Sequence, residues 1–365
     1  MEGVSGYMEI EQTVIWPAVS DVGAWFSPRT CQLADGRLVM TCQRISAEDG
    51  YEGVHIAWSE DRGRNWSEPV PVTSLQRSVF NAGVEGEWEE AVCDVVPSEL
   101  ADGRLLLIGQ NVYYCNGVLA SANENRKTIY TFLDQDGFWS ERRFLKWDDK
   151  RCARSLYAGC AQRVTLEDGS ILLPVSHTNS DGGRGVAVLQ LSVTAEEIVV
   201  LDNSNSLNLE AGRGLLEPSL IESGGEYWMT IRAEDGRGYW SISDNGLNWS
   251  EIKNWEFDDG MPLVTDTTQQ RWVVTKGGLH LIYTRRSAIN ERVFRWRAPL
   301  WIARVEEGVL LRESEMRVLP AKGERLLQIG NFHAITLTDG SGLVTVSETD
   351  IEQSFAGRTL MARLN

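Results

Sequence analysis

Short apolar runs broken by two-residue turns set the rhythm of this chain. "CQLADGRLVMTCQR" begins at Cys31, "SELADGRLLLIGQN" at Ser98 and "RVTLEDGSILLPVSH" at Arg163. "SLIESGGEYWMTIRA" begins at Ser219, "WVVTKGGLHLIYTRR" at Trp272 and "AITLTDGSGLVTVSE" at Ala334. Each reads as an apolar strand, an Asp-Gly or Gly-Gly turn and a second apolar strand, because these dipeptides supply the positive φ of a tight hairpin. The turns fall near residues 36, 103, 169, 225, 278 and 340, a spacing of 53 to 67. Amphipathic helical periodicity is nearly absent and proline is sparse. The pattern predicts an all-β fold, a six-bladed β-propeller, as one domain over residues 1–365. Radial repetition leaves only short, protected sheet edges. The terminal segments "MEIEQTVI" and "GRTLMARL" are expected to pair and close the ring. A β-sandwich is the other all-β arrangement, but it needs no period.

A second repeat is superimposed on the first. "SEDRGRNWSE" starts at Ser59 and "SDNGLNWSE" at Ser243, and "LDQDGFWSE" at Leu133 reads as a worn third copy. This is the Asp-box pattern: Ser59, Asp61, Gly63 and Trp66 in the first copy, and Asp244, Gly246 and Trp249 in the second, with Ile242 at the serine position. Aspartate bonds its own turn, glycine permits the bend and tryptophan packs between blades. The turn joins outer strands, so its expected role is structural.

Composition narrows the function. The 365 residues, 42% hydrophobic, are enough for a large core. A formal charge of -17 disfavours nucleic acid and anionic lipid as partners, since phosphate binding needs clustered Lys and Arg. Six scattered cysteines lack CxxC spacing and read as buried free thiols in a reducing compartment. Four dispersed histidines show no HExxH spacing, so no metal and no cofactor are expected. The N-terminus has neither a basic start nor an apolar core of the signal-peptide kind, and no apolar run approaches the ~20 residues of a membrane span. A cytoplasmic location without membrane contact is expected.

The chemistry is expected where strand ends converge near the axis. The second strands end in Gln43-Arg44, Gln110-Asn111, Ser176-His177, Arg232-Ala233, Arg285-Arg286 and Ser347-Glu348. The first strands begin near Arg29, Asp94, Gln162, Glu217, Gln270 and His333. A funnel with Arg29, Arg44, Arg232, Arg285, Glu217 and His333, and His177 at its rim, suits an anion, because guanidinium forks match a carboxylate. The competing reading is that these polar ends are solvated or form salt bridges between blades. Trp25, Trp296 and Trp301 are candidates to stack a sugar face.

The chain resembles the sialidase superfamily of Asp-box propellers over nearly its whole length. The resemblance is most specific in "EPSLIESGGEYWMTIRAEDGRGYWSISDNGLNWSE", Glu217 to Glu251. It implies that Glu217 is the glutamate that polarises the tyrosine nucleophile and Arg232 the second arginine of a carboxylate-binding triad. "FSPRTCQLADGRL" is similar to the segment of the first arginine; the family's Arg-Ile-Pro reads Ser27-Pro28-Arg29, making Arg29 the stand-in. Arg297, before Ala298-Pro299, matches the third arginine, with Arg285 and Arg286 nearby. Asp49 is the implied acid/base, with Glu52 close behind. The family's tyrosine opens the last blade, but here "GNFHAITLTDG" places Asn331, Phe332 and His333 there. Tyr157 and Tyr283 are tyrosines on other blades that could approach the axis, but no feature of the sequence places them there.

Three functions follow. One is a glycoside hydrolase on an acidic sugar of an oligosaccharide or glycoconjugate, with Asp49 or Glu52 as acid and a water activated by Glu217 or His333 in place of tyrosine. Another is a polysaccharide lyase on uronic acids, using the arginines, His333 or His177, and Tyr283. The third is a glycan-binding propeller without catalysis.

Overall fold

The computed structural model describes residues 8–18, 25–45, 49–120, 125–350 and 356–365. Part of the N-terminal stretch read for a targeting signal lies outside them. Six separate antiparallel sheets form a β-propeller. Blade 1 contains strands Trp25–Gln32, Leu38–Ile45, Tyr51–Ser59 and Val70–Pro71, from the axis outward. Blade 2 is built on Trp88–Glu99, Leu105–Cys115 and Thr128–Leu133, and blade 3 on Ser155–Tyr157, Ile171–Thr178 and Arg184–Val193. Blade 4 carries Leu216–Ser223, Glu226–Arg232 and Gly238–Ser243, and blade 5 carries Arg271–Thr275, Gly278–Tyr283 and Leu300–Glu306. In blade 6, His333–Thr336, Gly342–Asp350 and Ala356–Leu364 are completed by Ile10–Trp16, which pairs antiparallel with the last strand from Ile10↔Leu364. One sheet thus joins both ends of the described chain and closes the ring.

The core is divided among the blade interfaces. Leu106, Ile108, Leu173 and Leu189 bury one cluster between blades 2 and 3, and Ile282, Ile302, Val344 and Ala362 bury another between blades 5 and 6. Trp240, Trp255 and Trp272 pack together between blades 4 and 5, Trp255 and Trp272 edge to face with centroids 5.5 Å apart. Strands buried on both faces explain the unbroken apolar runs of the sequence.

The innermost strands share an irregularity. A register shift lies between Phe26 and Arg29 in blade 1, between Cys93 and Val96 in blade 2, and between Leu216 and Ser219 in blade 4. A non-glycine residue with positive φ marks the corresponding place in five blades: Ser27, Asp94, Cys160, Glu217 and Thr267. Such bulges re-aim a side chain and leave ladder groups unpaired. Neighbouring blades satisfy those groups: Thr41 Oγ1 donates to the Val95 carbonyl at 2.5 Å, Thr345 Oγ1 to the Pro28 carbonyl at 3.0 Å, and the Glu217 N–H donates to Ser176 Oγ at 3.0 Å.

The Asp-box turns are structural latches. In the first, Asp61 accepts from the Asn65 N–H, Ser59 Oγ accepts from the Gly63 N–H, and Trp66 Nε1 donates to the Gly63 carbonyl. The second copy corrects the sequence alignment. Ser243 Oγ accepts from the Gly246 N–H and Asn245 accepts from the Asn248 N–H, so Ser243 and Asn245 fill the places given to Ile242 and Asp244. Gly246 sits at φ +74, and a Cβ there would lie 2.4 Å from Leu172 Cδ1 in blade 3. Gly246→Ala is therefore expected to cost about 2–4 kcal/mol, from φ strain plus overpacking. Gly36→Ala, also at positive φ but with nothing near its Cβ, is expected to cost only about 1–2 kcal/mol. Urea unfolding of both variants checks the difference.

Candidate functional site

Where the bulged strand ends meet, a pocket of about 450 Å³ opens on the axis. Asp94 and Glu217 reach it from their bulges, and Asn331 from the chain just before the innermost strand of blade 6. Asp49 enters from the turn before the third strand of blade 1, and Tyr51 is the first residue of that strand. Arg232 comes from the end of the second strand of blade 4, and Arg297 from the connection after the second strand of blade 5. Arg126, Arg213 and Arg295 come from other connections. Glu217 and Arg232 also line an adjoining cavity of about 410 Å³, together with Tyr157 and Arg184.

The pocket is preorganised by charge. Arg232 Nη1 donates to Glu217 Oε2 at 2.7 Å and its Nε to Thr267 Oγ1 at 2.9 Å, bonds that do not use Nη2. Burial opposes ionisation of Glu217, but the adjacent Arg232 guanidinium outweighs it and holds the carboxyl down to about 2. Burial, and then the nearby charge of Arg232, lower the proton affinity of Arg297. Its buried Nε has no partner among the described residues. Two guanidinium groups crowded in a desolvated site are relieved by an anion. The Tyr51 hydroxyl donates to Asp49 Oδ1 at 3.1 Å, and burial followed by the Asp94 charge raises its pKa well above the ordinary value.

A pH dependence follows from the Glu217–Arg232 pair. Because the folded pKa lies below the ordinary 4.5, the stabilisation is complete above that value and is lost as pH falls through 4.5 toward about 2. The stability difference between wild type and Glu217→Gln is expected to shrink across this window. Urea midpoints measured from pH 6 downward check it, the window being set by linkage.

The structure brings Asp49, Glu217, Arg232 and Arg297 to one pocket together with Asp94 and Asn331, and places Arg29, Arg44, Arg285, His177, Glu52 and His333 elsewhere. Arg29 is fully buried, bonded to Asp94 Oδ1 at 2.9 Å, to Cys160 Sγ at 3.1 Å and to the Phe332 carbonyl. Arg44 lies over the Trp25 ring at 4.0 Å. Arg285 grips Glu315 through two bonds of 2.7 and 2.6 Å and covers Trp301. His177 sits between the Arg151 carbonyl and Ser206 Oγ. Glu52 lies 3.7 Å from Arg77. His333 faces a separate cavity of about 440 Å³ lined by the far halves of the innermost strands. Its Nδ1 accepts from the Thr30 N–H at 3.2 Å, so the proton is on Nε2 and the ring is no base toward the pocket. Tyr283 donates to Glu315 at 2.6 Å, away from the axis, and Trp296 lies under Arg286. Arg44, Arg285 and His177 share one cause: they lie at the ends of second strands, which point mostly into blade interfaces. Arg29 and His333 lie on innermost strands but are buried within the packing between blades.

Sequence reasoning missed Tyr51, Arg126, Arg213 and Arg295 as pocket residues. Asp94 carried a signal, a carboxylate inside the apolar run "EEAVCDVVPS", but the connections bearing the arginines carried none. Among the described residues, no group of three or more His, Cys, Asp or Glu is placed to hold a metal. All six cysteines are free, and among the described residues no helix is long and apolar enough to cross a membrane.

The family profile described as BNR repeat-like domain matches residues 36–319. No curated protein matches the chain in a sequence search. Among solved structures, Trypanosoma rangeli sialidase superposes with a TM-score of 0.66 at 12% identity, covering 97% of this chain and 59% of its own, and has been solved with sialic acid bound. The chain thus spans about three fifths of that sialidase's length. A Dyadobacter fermentans protein of unknown function gives 0.68 at 13% identity, covering 98% and 99% of the two chains. A Hadza microbial sialidase gives 0.66 at 14% identity, covering 96% and 68%.

Proposed function

Because the chain belongs to the BNR repeat-like family and has the sialidase fold, we propose that it is a glycoside hydrolase acting on a carboxylate-bearing sugar. The observation that carries this reading is the convergence of Arg232, Arg297 and Arg126 on one axial pocket in a chain of net charge -17. Arg232 and Arg297 hold the sugar carboxylate, supplying charge-assisted bonds that water cannot match in a desolvated pocket. Asp49, steadied by the Tyr51 hydroxyl, gives its proton to the leaving glycosidic oxygen.

The attacking group is water. Where the family places its tyrosine, Asn331 lines the pocket and donates to Asp94 Oδ1 at 3.2 Å. Water attacks the anomeric carbon as the C–O bond to the leaving group breaks, and the water proton passes to Asp94. Glu217, kept ionised by Arg232, stabilises the positive charge that develops on the ring. Direct attack inverts configuration. Incubation with aryl sialosides and aryl uronides, followed by proton NMR of the first-formed product, is expected to show the inverted anomer. A retained anomer refutes the water mechanism. With a 4-linked uronide oligosaccharide as a further substrate, an unsaturated product formed by expulsion of the 4-O-linked sugar makes the protein a lyase, and saturable binding without any product makes it a glycan-binding propeller.

A further inference from the structure

The axial site opens sideways into a groove. Arg126 lines the axial pocket, and it also lines a cavity of about 870 Å³ between blades 2 and 3. The groove continues outward past Phe144, Lys146 and Trp147 into a further 670 Å³. Aromatic residues shape its wall. Phe80 packs on Tyr113 with centroids 4.7 Å apart, and Phe144 is 39% exposed with the Lys127 ammonium 5.2 Å from its ring. Apolar ring faces beside open solvent suit the C–H faces of sugars.

The charge of the inner, 870 Å³ section of the groove runs against that of the molecule, whereas the outer section carries Asp148, Asp149, Glu197 and Asp202. The chain has 52 acidic and 35 basic residues. The 870 Å³ section is nevertheless lined by Arg126, Lys127, Lys146 and Arg154, with Asp148 the one acid among its lining residues. Lys127 and Lys146 are exposed, so these positive charges stand at the surface of the groove rather than in the core. A local reversal of sign beside a site for an anion concentrates polyanions.

We propose that this groove binds the continuation of an anionic oligosaccharide whose terminal acidic sugar occupies the axial pocket. The inference rests on the reading of the axial pocket as a site for a carboxylate-bearing sugar. The ligand is then a chain with a second anionic unit beyond the terminal one, not a single acidic sugar on a neutral carrier.

The test compares chain length and groove variants in calorimetric titrations. The probes are sialic acid with its α2,8-linked dimer and trimer, and galacturonic acid with its dimer and trimer. Wild type is expected to bind the trimer of one series at least about tenfold more tightly than its monomer, a gain that shrinks as salt rises. Phe144→Ala and the pair Lys127→Gln/Lys146→Gln alter exposed side chains and are expected to abolish that gain while leaving monomer affinity within about twofold, as sites acting independently do. Monomer binding without a gain on lengthening, or a gain that survives in both variants, overturns the groove and leaves the axial reading standing. Oligomer binding that weakens in the groove variants and persists in Arg232→Ala overturns the axial reading and leaves the groove standing. No binding of any probe overturns both.

Discussion

Arg29→Ala is expected to lower the unfolding free energy by about 3–5 kcal/mol, the cost of leaving a buried partner charge uncompensated. Arg29 is fully buried among three blades: Nη2 meets Asp94 Oδ1 at 2.9 Å and Cys160 Sγ at 3.1 Å, while Nη1 donates to the Phe332 carbonyl. Truncation strands Asp94 and opens a cavity at the axis, so two penalties add. Arg29→Met/Asp94→Asn removes both charges and is expected to recover more than half of the loss. Guanidinium denaturation of the two variants measures it. A loss under about 1 kcal/mol for Arg29→Ala would show that the axial charges are not coupled as the geometry requires.

Arg232→Ala is expected to reduce kcat/KM on an acidic glycoside by about 10²–10⁴, the effect of losing a charge-assisted clamp and leaving Glu217 without its partner. Two consequences separate this from simple misfolding. The first is selectivity: wild type should prefer the free carboxylate substrate over its neutral amide, and the variant should lose that preference. The second is the pH profile. With the cation gone, burial is left to raise the Glu217 pKa, and the acid limb should move upward. Arg232→Lys restores charge without the planar fork and should fall between the two. Activity within threefold of wild type in Arg232→Ala, with the amide still rejected, would remove Arg232 from the substrate site.

Much of the fold was legible because its signals are local. The six hairpins were visible in turn dipeptides and apolar runs, and the Asp boxes in a short motif whose bonds close within a few residues. The second Asp box also shows how local reading slips. One residue fewer separates its serine from its tryptophan, and Asn245 takes the capping role of aspartate. The axial site was legible only where the family motif was intact. Glu217 and Arg232 lie on either side of one hairpin and meet at 2.7 Å. Arg44, Arg285 and His177 occupy similar strand-end positions, yet they bond within or between blades.

The sequence by itself therefore determined the repeat, the strand pairs within each blade and the segments that close the ring, since turn chemistry and apolar periodicity act between near neighbours. Tertiary structure decided which polar groups share the axis. That choice depends on bulges that turn Asp94 and Glu217 inward at positive φ, and on segments from separate blades that deliver Tyr51, Arg126 and Arg297. It depends also on a few ångströms of depth, which bury Arg29 beneath the floor while Arg232 lines the pocket. Such convergence is fixed by the packing of six sheets around one axis, and no periodicity along the chain encodes it.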